Sequence, residues 1–248
     1  MKKSAILGII PARFASTRFP GKPLADIEGK TMIQRVYEQA LKSEKLDEVV
    51  VATDDERILL HLHELGYKAI LTSAAHQSGT DRCAEVAKKL PGFDVIINIQ
   101  GDEPFINPIQ IDLVCTCFAD EDTTLATLVK EINSPEELTN TNSPKVVLNK
   151  RSEAIYFSRS PIPHFRGKEM SEWLKNTIYY KHIGIYGYRT DSLLAITQLP
   201  LSALEKAEAL EQLRWIENGY KIRVAVTDIE TLAVDTPEDL LKIRKEYF

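Results

Sequence analysis

Residues 5–11 read AILGIIP, a nearly continuous apolar run near the start of the chain. A run of that kind is typical of a parallel strand that is buried on both faces. Three further strand patterns, at 48–53, 68–72 and 95–100, are each followed by apolar residues at helical spacing. Because strands that alternate with helices imply right-handed crossovers, the sequence predicts a doubly wound, mostly parallel α/β sheet.

The second half of the chain departs from this alternation. The stretch from about 125 to 190 is rich in strand patterns, whereas 203–218 reads as one unbroken helix. Earlier in the chain, Asp54 is expected to cap a helix from 55 to 65. We therefore predict a single domain over residues 1–248, with a β-rich insertion at about 125–190.

Composition excludes several classes of protein. The chain has 248 residues, 44% of them hydrophobic, and a net charge of −5. That sign of charge argues against a nucleic-acid or anionic-membrane partner. No apolar run approaches the ~20 residues that span a bilayer, and the start of the chain lacks a secretory pattern. Three cysteines make no disulfide framework, so we expect a cytoplasmic protein in a reducing compartment.

The loop after the first strand carries three cations. Residues 11–24 read PARFASTRFPGKPL and include Arg13, Arg18 and Lys22. In an open parallel sheet, ligands bind beyond the carboxyl ends of the strands, and arginine and lysine bind phosphate oxygens there. Neither the P-loop pattern nor the dinucleotide glycine pattern fits the chain. The loop therefore predicts a phosphate site of another kind, with a solvated basic loop as the alternative.

Two acidic segments are candidates for a metal site. Asp102 follows Gly101 at the end of the fourth strand pattern, where the glycine permits a sharp turn. Mg²⁺ is usually held by one or two carboxylates together with substrate phosphates, so Asp102 is a candidate ligand. Asp235 either starts a turn before the last helix or supplies a second carboxylate, and the residues alone leave both open.

A polar site for an acceptor is indicated farther along the chain. His182 and Tyr186 lie on the same face of a predicted strand over 179–189. Glu211 lies at the edge of the buried face of the helix predicted over 203–218. A carboxylate in that position needs a partner, either a sugar hydroxyl or an internal arginine or lysine.

Eight segments, in the same order and over nearly the whole chain, together resemble the CMP-Kdo synthetases, which act on 3-deoxy-manno-octulosonate (Kdo). They are PARFASTRFPGKPL from Pro11, ATDDERI from Ala52, SGTDR from Ser78, NIQGDEPFI from Asn98, YFSRSPIP from Tyr156, KHIGIYGYR from Lys181, LEQLR from Leu210 and VDTPEDL from Val234. One small departure is Asp81, where glutamate is expected as often.

The resemblance implies a glycosyltransferase-A-like nucleotide-binding fold, a homodimer, CTP as donor, Mg²⁺ as cofactor and a place in lipopolysaccharide synthesis. The residues that it assigns to the nucleotide are Arg13, Ser16, Arg18, Lys22 and Arg82. Those that it assigns to Mg²⁺ are Asp102 and Asp235, and these two with Arg13 and Lys22 form the catalytic set. Those that it assigns to the sugar acid are Gln100, Arg159, His182, Tyr186, Glu211 and Gln212.

The implied reaction is an in-line displacement in which the anomeric hydroxyl of Kdo attacks the α-phosphate of CTP and pyrophosphate leaves. An 8-amino analogue of Kdo or a sialic acid is an alternative acceptor. A non-catalytic nucleotide-binding protein and a structural subunit are alternatives of a different class.

Overall fold

The computed structural model describes residues 4–15, 19–230 and 232–248. Within these ranges the strands are β1 (Ile6–Ala12), β2 (Asp26–Ile27), β3 (Lys30–Thr31), β4 (Glu48–Thr53), β5 (Ala69–Leu71), β6 (Val95–Asn98), β7 (Leu125–Glu131), β8 (Lys145–Leu148), β9 (Ala154–Ser158), β10 (Tyr180–Arg189) and β11 (Ile222–Val226). The helices are α1 (Met32–Ala40), α2 (Glu56–Glu64), α3 (Gly79–Lys89), α4 (Pro108–Thr116), α5 (Pro135–Thr139), α6 (Trp173–Asn176), α7 (Thr190–Ile196), α8 (Ala203–Glu208), α9 (Gln212–Glu217) and α10 (Pro237–Tyr247). Short 3-10 turns lie at Lys22–Leu24, Cys117–Ala119 and Met170–Glu172.

The main sheet has the strand order β11-β7-β10-β6-β1-β4-β5. Strand β1 is parallel to β4 and β6, and β11 is parallel to β7, whereas β10 is antiparallel to both β6 and β7. The predicted mostly parallel α/β sheet is therefore confirmed. Since β10 runs against its neighbours, it begins at the edge of the sheet where β6 ends.

The strands of the β-rich segment at 125–190 pair with the main sheet. Strands β7 and β10 lie within it, and the β8–β9 hairpin branches from the start of β10, where Tyr180 pairs with Val146. All four strands of the segment therefore belong to the nine-stranded main sheet, with β7 and β10 inside its strand order and β8 and β9 as a branch. The division of the chain into domains stays a prediction.

Apolar layers cover both faces of the sheet. Ile10 and Ile97 pack on one side, with residues of α1, α2 and α4, and Ile9 and Ile96 pack on the other, with residues of α3, α7 and α9. This alternation follows from the period of two in a strand, and it makes the central strands apolar throughout. No helix within the described ranges is long and apolar enough to cross a membrane.

The helix predicted over 203–218 is wrong as a single element. It is broken into α8 and α9, because Ala209 takes the left-handed conformation, with φ 50° and ψ 50°. A non-glycine residue pays a steric cost in that conformation, which the surrounding contacts must offset. Glu211 consequently lies at the N-cap of α9 and not inside a helix.

The helix cap predicted at Asp54 is also wrong by one residue. Asp55 caps α2, and its carboxylate accepts a hydrogen bond from the Arg57 amide at 2.9 Å. Asp54 is bound instead to the guanidinium of Arg82, which is buried in α3. The charge of a buried arginine needs a carboxylate more than a helix terminus does, and the next aspartate supplies the cap.

Candidate active site

A cleft of about 520 Å³ opens at the carboxyl ends of β1 and β6. It brings together five of the residues that the sequence singles out, from three distant segments. Its walls are formed by Pro11, Ala12, Arg13, Ala15, Lys22, Pro23, Gln100, Gly101, Asp102 and Asp235. A cleft in this position is where open α/β sheets bind their ligands.

Gly101 lets the turn after β6 lie directly on the end of β1. A Cβ added to Gly101 would stand 2.5 Å from the carbonyl oxygen of Pro11, closer than real Cβ atoms come. The amide of Ile99 also donates to the carbonyl of Ile9 at 2.8 Å, which extends the pairing of the two strands. Because the backbones approach so closely, Asp102 is held beside the cationic loop.

Lys22 lies between the two predicted metal carboxylates. Its Nζ is 2.8 Å from Oδ2 of Asp102 and 3.5 Å from Oδ1 of Asp235. The Lys22 side chain is 14% exposed, and those of the two aspartates are 27% and 41% exposed. The cleft therefore holds two carboxylates with one cation shared between them.

Asp235 is held beside Asp102 by hydrogen bonds from two backbone amides. The amide of Val234 donates to the carbonyl of Asp102 at 2.8 Å, and the amide of Asp235 donates to Asp239 at 3.3 Å. The N-cap of α10 is Thr236, which forms a capping box with Asp239. Capping of α10 therefore does not depend on Asp235, whose carboxylate faces Lys22.

The other predicted nucleotide residues have different positions. Ser16 and Arg18 lie outside the described residues. Arg82 is fully buried, and its guanidinium donates to Asp54 at 2.9 Å and to Thr72 at 2.5 Å. A guanidinium with no exposed surface contacts a nucleoside only if it moves, and its role in nucleotide binding stays a prediction.

The start of β10 connects the cleft to the predicted sugar residues. Nε2 of Gln100 donates to the carbonyl of Gly184 at 2.7 Å. Two residues earlier on the same strand, Nε2 of His182 lies 2.9 Å from the hydroxyl of Thr127. Burial lowers the pKa of the His182 imidazole to about 3, so this ring is neutral at physiological pH.

Tyr186 packs beside His182, with their ring centroids 5.1 Å apart, so the two side chains do share a face of β10. On its other side Tyr186 meets the edge of Trp215 in α9, also at 5.1 Å. Its hydroxyl is buried and has no hydrogen-bond partner among the described residues. Burial raises the pKa of the Tyr186 phenol well above its ordinary value, which keeps the hydroxyl a neutral donor.

Glu211 has the internal partner that the sequence left open. Its carboxylate accepts hydrogen bonds from the Thr80 hydroxyl at 2.7 Å and from Arg214 at 3.0 Å. Burial nevertheless raises the pKa of Glu211 above its ordinary value. Gln212, the next residue, is buried as the first residue of α9.

Arg159 approaches the same turn from the end of β9. Its side chain donates to the carbonyls of Glu208 at 2.7 Å, Ala209 at 3.2 Å and Thr141 at 2.9 Å. The backbone amide of Arg159 also donates to the Glu208 carboxylate at 2.9 Å. Arg159 thus ties the break between α8 and α9 to the β8–β9 hairpin.

Sequence reasoning missed several residues that position the site. Thr80 binds Glu211, Thr127 binds His182, and Trp215 supports Tyr186. Each contact joins segments far apart in the chain, so no local pattern marks it. The role of Asp54 could have been predicted, because it lies in one of the quoted motifs next to a second aspartate that can cap the helix.

The chain is similar to proteins of known family. Residues 7–222 match a family model described as cytidylyltransferase. Proteins named 3-deoxy-manno-octulosonate cytidylyltransferase are similar to it, from Parabacteroides distasonis at 61% identity, covering 95% of each chain, and from Bacteroides thetaiotaomicron at 59%, covering 94% of each. A solved structure of a CMP:2-keto-3-deoxy-manno-octonic acid synthetase complexed with CTP superposes with a TM-score of 0.91 at 46% identity, covering 98% of each chain.

Proposed function

Since the chain belongs to the 3-deoxy-manno-octulosonate cytidylyltransferase family, as its sequence motifs indicate and its relatives confirm, we propose that it transfers CMP from CTP to the anomeric hydroxyl of Kdo. The products are CMP-Kdo and pyrophosphate. One observation carries the proposal: a cationic loop and two carboxylates from distant segments line one cleft at the carboxyl edge of the sheet.

The cationic loop is suited to the polyphosphate. Arg13 and Lys22 line the cleft with the backbone of the loop. As the anomeric oxygen bonds to the α-phosphorus and the bond to the β-phosphate breaks, negative charge accumulates on the leaving pyrophosphate. Fixed cations beside that charge stabilise it more in the transition state than in the ground state, which is the condition for acceleration.

The carboxylates suit Mg²⁺. Asp102 and Asp235 already share a cation, the Lys22 ammonium, so their oxygens converge on a site for positive charge. Within the described ranges no group of three or more histidine, cysteine or acidic residues gathers as a metal cage. Two carboxylates completed by substrate phosphates are the usual protein environment of Mg²⁺. When bound, Mg²⁺ supplies charge neutralisation and lowers the pKa of a nearby hydroxyl.

The sugar acid has a polar wall beside the cleft, formed by β10, to which Gln100 is hydrogen-bonded. The neutral phenol of Tyr186 offers an uncharged donor. The neutral ring of His182 donates to Thr127, because the Thr127 hydroxyl itself donates to the Ile185 carbonyl, and so His182 offers its other nitrogen as an acceptor. Arg159 supplies positive charge for the carboxylate of the sugar. In this role, binding orients the anomeric hydroxyl toward the α-phosphate, which converts a bimolecular step into an intramolecular one.

We propose further, on the family resemblance, that the protein is a cytoplasmic homodimer that serves lipopolysaccharide synthesis. Light scattering coupled to size-exclusion chromatography measures the assembly directly. A mass of one chain at micromolar concentration is the result that contradicts the homodimer.

Pyrophosphate release tests the reaction. Purified protein is given CTP, Mg²⁺ and freshly made Kdo, with no-sugar, sialic-acid and 8-amino-Kdo controls, and with a chelator in a parallel series. Release that requires both Kdo and Mg²⁺ supports the proposal. Release with another sugar acid and not with Kdo changes the acceptor, and saturable CTP binding with no release from any sugar supports a binding protein.

A further inference from the structure

The Lys22 ammonium occupies the oxygens that a divalent ion needs. It lies 2.8 Å from Oδ2 of Asp102 and 3.5 Å from Oδ1 of Asp235. An ammonium at these distances hydrogen-bonds one carboxylate and neutralises part of the charge of both. The carboxylate pair is thus bound to an internal cation supplied by the chain.

The backbone around this cation is fixed, so the side chain is the part that can move. Gly21 takes a positive φ of 72°, and its amide donates to the carbonyl of Phe14 at 2.9 Å. Lys22 then begins a 3-10 turn in which Leu24 donates to the carbonyl of Gly21 at 2.9 Å. The lysine side chain places a flexible four-carbon stem between this anchored backbone and its charge, which allows the ammonium to move between neighbouring anions.

Ammonium and divalent ion compete for this place. Mg²⁺ demands short oxygen contacts in near-octahedral geometry, and a second cation within hydrogen-bond distance of the same oxygens repels it. The same cleft, however, is lined by Arg13 and Lys22, where a polyphosphate offers the ammonium another anion. Once Lys22 pairs with phosphate, its charge no longer competes with the metal for the oxygens of these carboxylates.

We propose that Lys22 is an internal competitor of the divalent ion, and that it makes metal binding depend on the nucleotide. In the nucleotide-free protein the ammonium holds Asp102 and Asp235, so the metal binds weakly. Nucleotide draws the ammonium to its phosphates, and the metal then binds. This inference rests on the function proposed above, and by linkage the metal raises nucleotide affinity by the same factor.

The test is divalent binding to the nucleotide-free full-length chain, with Mn²⁺ followed by electron paramagnetic resonance. Lys22→Met removes the ammonium and keeps a similar side-chain volume. We expect this variant to bind Mn²⁺ more tightly than the unaltered protein, by a factor on the order of 10. Lys30→Met is the matched control, because Lys30 pairs with Glu38 at 2.6 Å and does not line the cleft, and it should leave Mn²⁺ affinity unchanged.

Two further variants keep the result unambiguous. Lys22→Met combined with Asp102→Asn should lose the gain, which locates the ion at the carboxylates. Lys22→Gln serves if the methionine variant unfolds, as judged by circular dichroism. Equal or weaker Mn²⁺ binding in both folded Lys22 variants overturns the proposal, as does a gain that persists with Asp102→Asn.

The failure of this inference is separable from failure of the proposed reaction. The Mn²⁺ titration contains neither sugar nor turnover. A non-hydrolysable CTP analogue should raise Mn²⁺ affinity more in the unaltered protein than in Lys22→Met, since the variant has no ammonium to remove. An equal rise in both contradicts the coupling, whatever pyrophosphate release shows.

Discussion

Gly101→Ala tests whether close backbone contact positions the cleft. The added Cβ would stand 2.5 Å from the Pro11 carbonyl oxygen, whereas ordinary contacts begin at 3.4 Å, so the backbones must separate by about 0.9 Å. Pro11 is part of β1 and Gly101 follows β6, and these paired strands cannot part without loss of pairing. Overpacking of this kind costs about 1–3 kcal/mol.

Two measurements follow from that displacement. For a chain of this size each kcal/mol lowers the melting temperature by about 2–4 °C, so we expect a fall of about 2–12 °C in thermal unfolding. Asp102 is the next residue, and a misplacement of about 1 Å at a reacting centre lowers turnover by about 100-fold. Pyrophosphate release at saturating substrates measures that loss.

Gly184→Ala is the matched control for stability. Its added Cβ would meet only the Gln100 Cγ, at 3.8 Å, which is ordinary contact. The melting temperature of this variant should therefore stay within about 2 °C of the unaltered protein. Equal melting temperatures for the two variants, or full turnover by Gly101→Ala, would show that this backbone contact does not position the cleft.

Three further predictions concern charge, backbone strain and pH. Asp102→Asn keeps the shape of the side chain and removes its charge, so pyrophosphate release should fall at least ~100-fold while the melting temperature changes by less than ~4 °C; near-normal turnover with Mg²⁺ contradicts the metal assignment. Ala209→Gly removes the steric cost of the left-handed φ of 50° at the break before α9, and denaturant unfolding should show a gain of about 0.5–1 kcal/mol; a loss of stability argues that the conformation is unstrained. Burial lowers the pKa of His182 to about 3 from an ordinary value of 6.5, so between these pH values the unfolded chain binds the proton and the folded chain does not. The contribution of His182 to the free energy of unfolding is therefore fully present above pH 6.5 and falls by up to ~1.4 kcal/mol per pH unit as the pH decreases toward 3. Between pH 7 and pH 5, His182→Gln should lose less unfolding free energy than the unaltered protein in urea titrations. Parallel losses would show that His182 does not titrate in this way.

Local periodicity was enough to predict the parallel strands β1, β4, β5 and β6. The apolar run 5–11 has the length of a buried strand and not of a helix, and parallel strands joined through helices take right-handed crossovers. The carboxyl ends of β1 and β6 must then share one edge, so the closeness of Lys22 and Asp102 was predictable in outline. The order of strands was not, because β10 enters between β6 and β7 through pairing that no local pattern encodes.

Wherever two local interpretations were equally good, a long-range contact decided between them. Ala209 has nothing helix-breaking in its own chemistry, yet the carbonyls of Glu208 and Ala209 turn toward Arg159 and the helix ends there. Asp54 and Asp55 are both competent caps, and the buried Arg82 takes one of them.

The fold class, the cationic loop and the aspartate after β6 were predictable without coordinates, because they follow from spacing within short windows and from motifs shared with a family. That Asp235 lies 3.5 Å from Lys22, and that Arg82 is buried, became visible only in the packed structure. The reason is physical: periodicity records which face of an element is apolar, whereas the pairing of charges depends on which distant elements the packed sheet brings within a few ångströms.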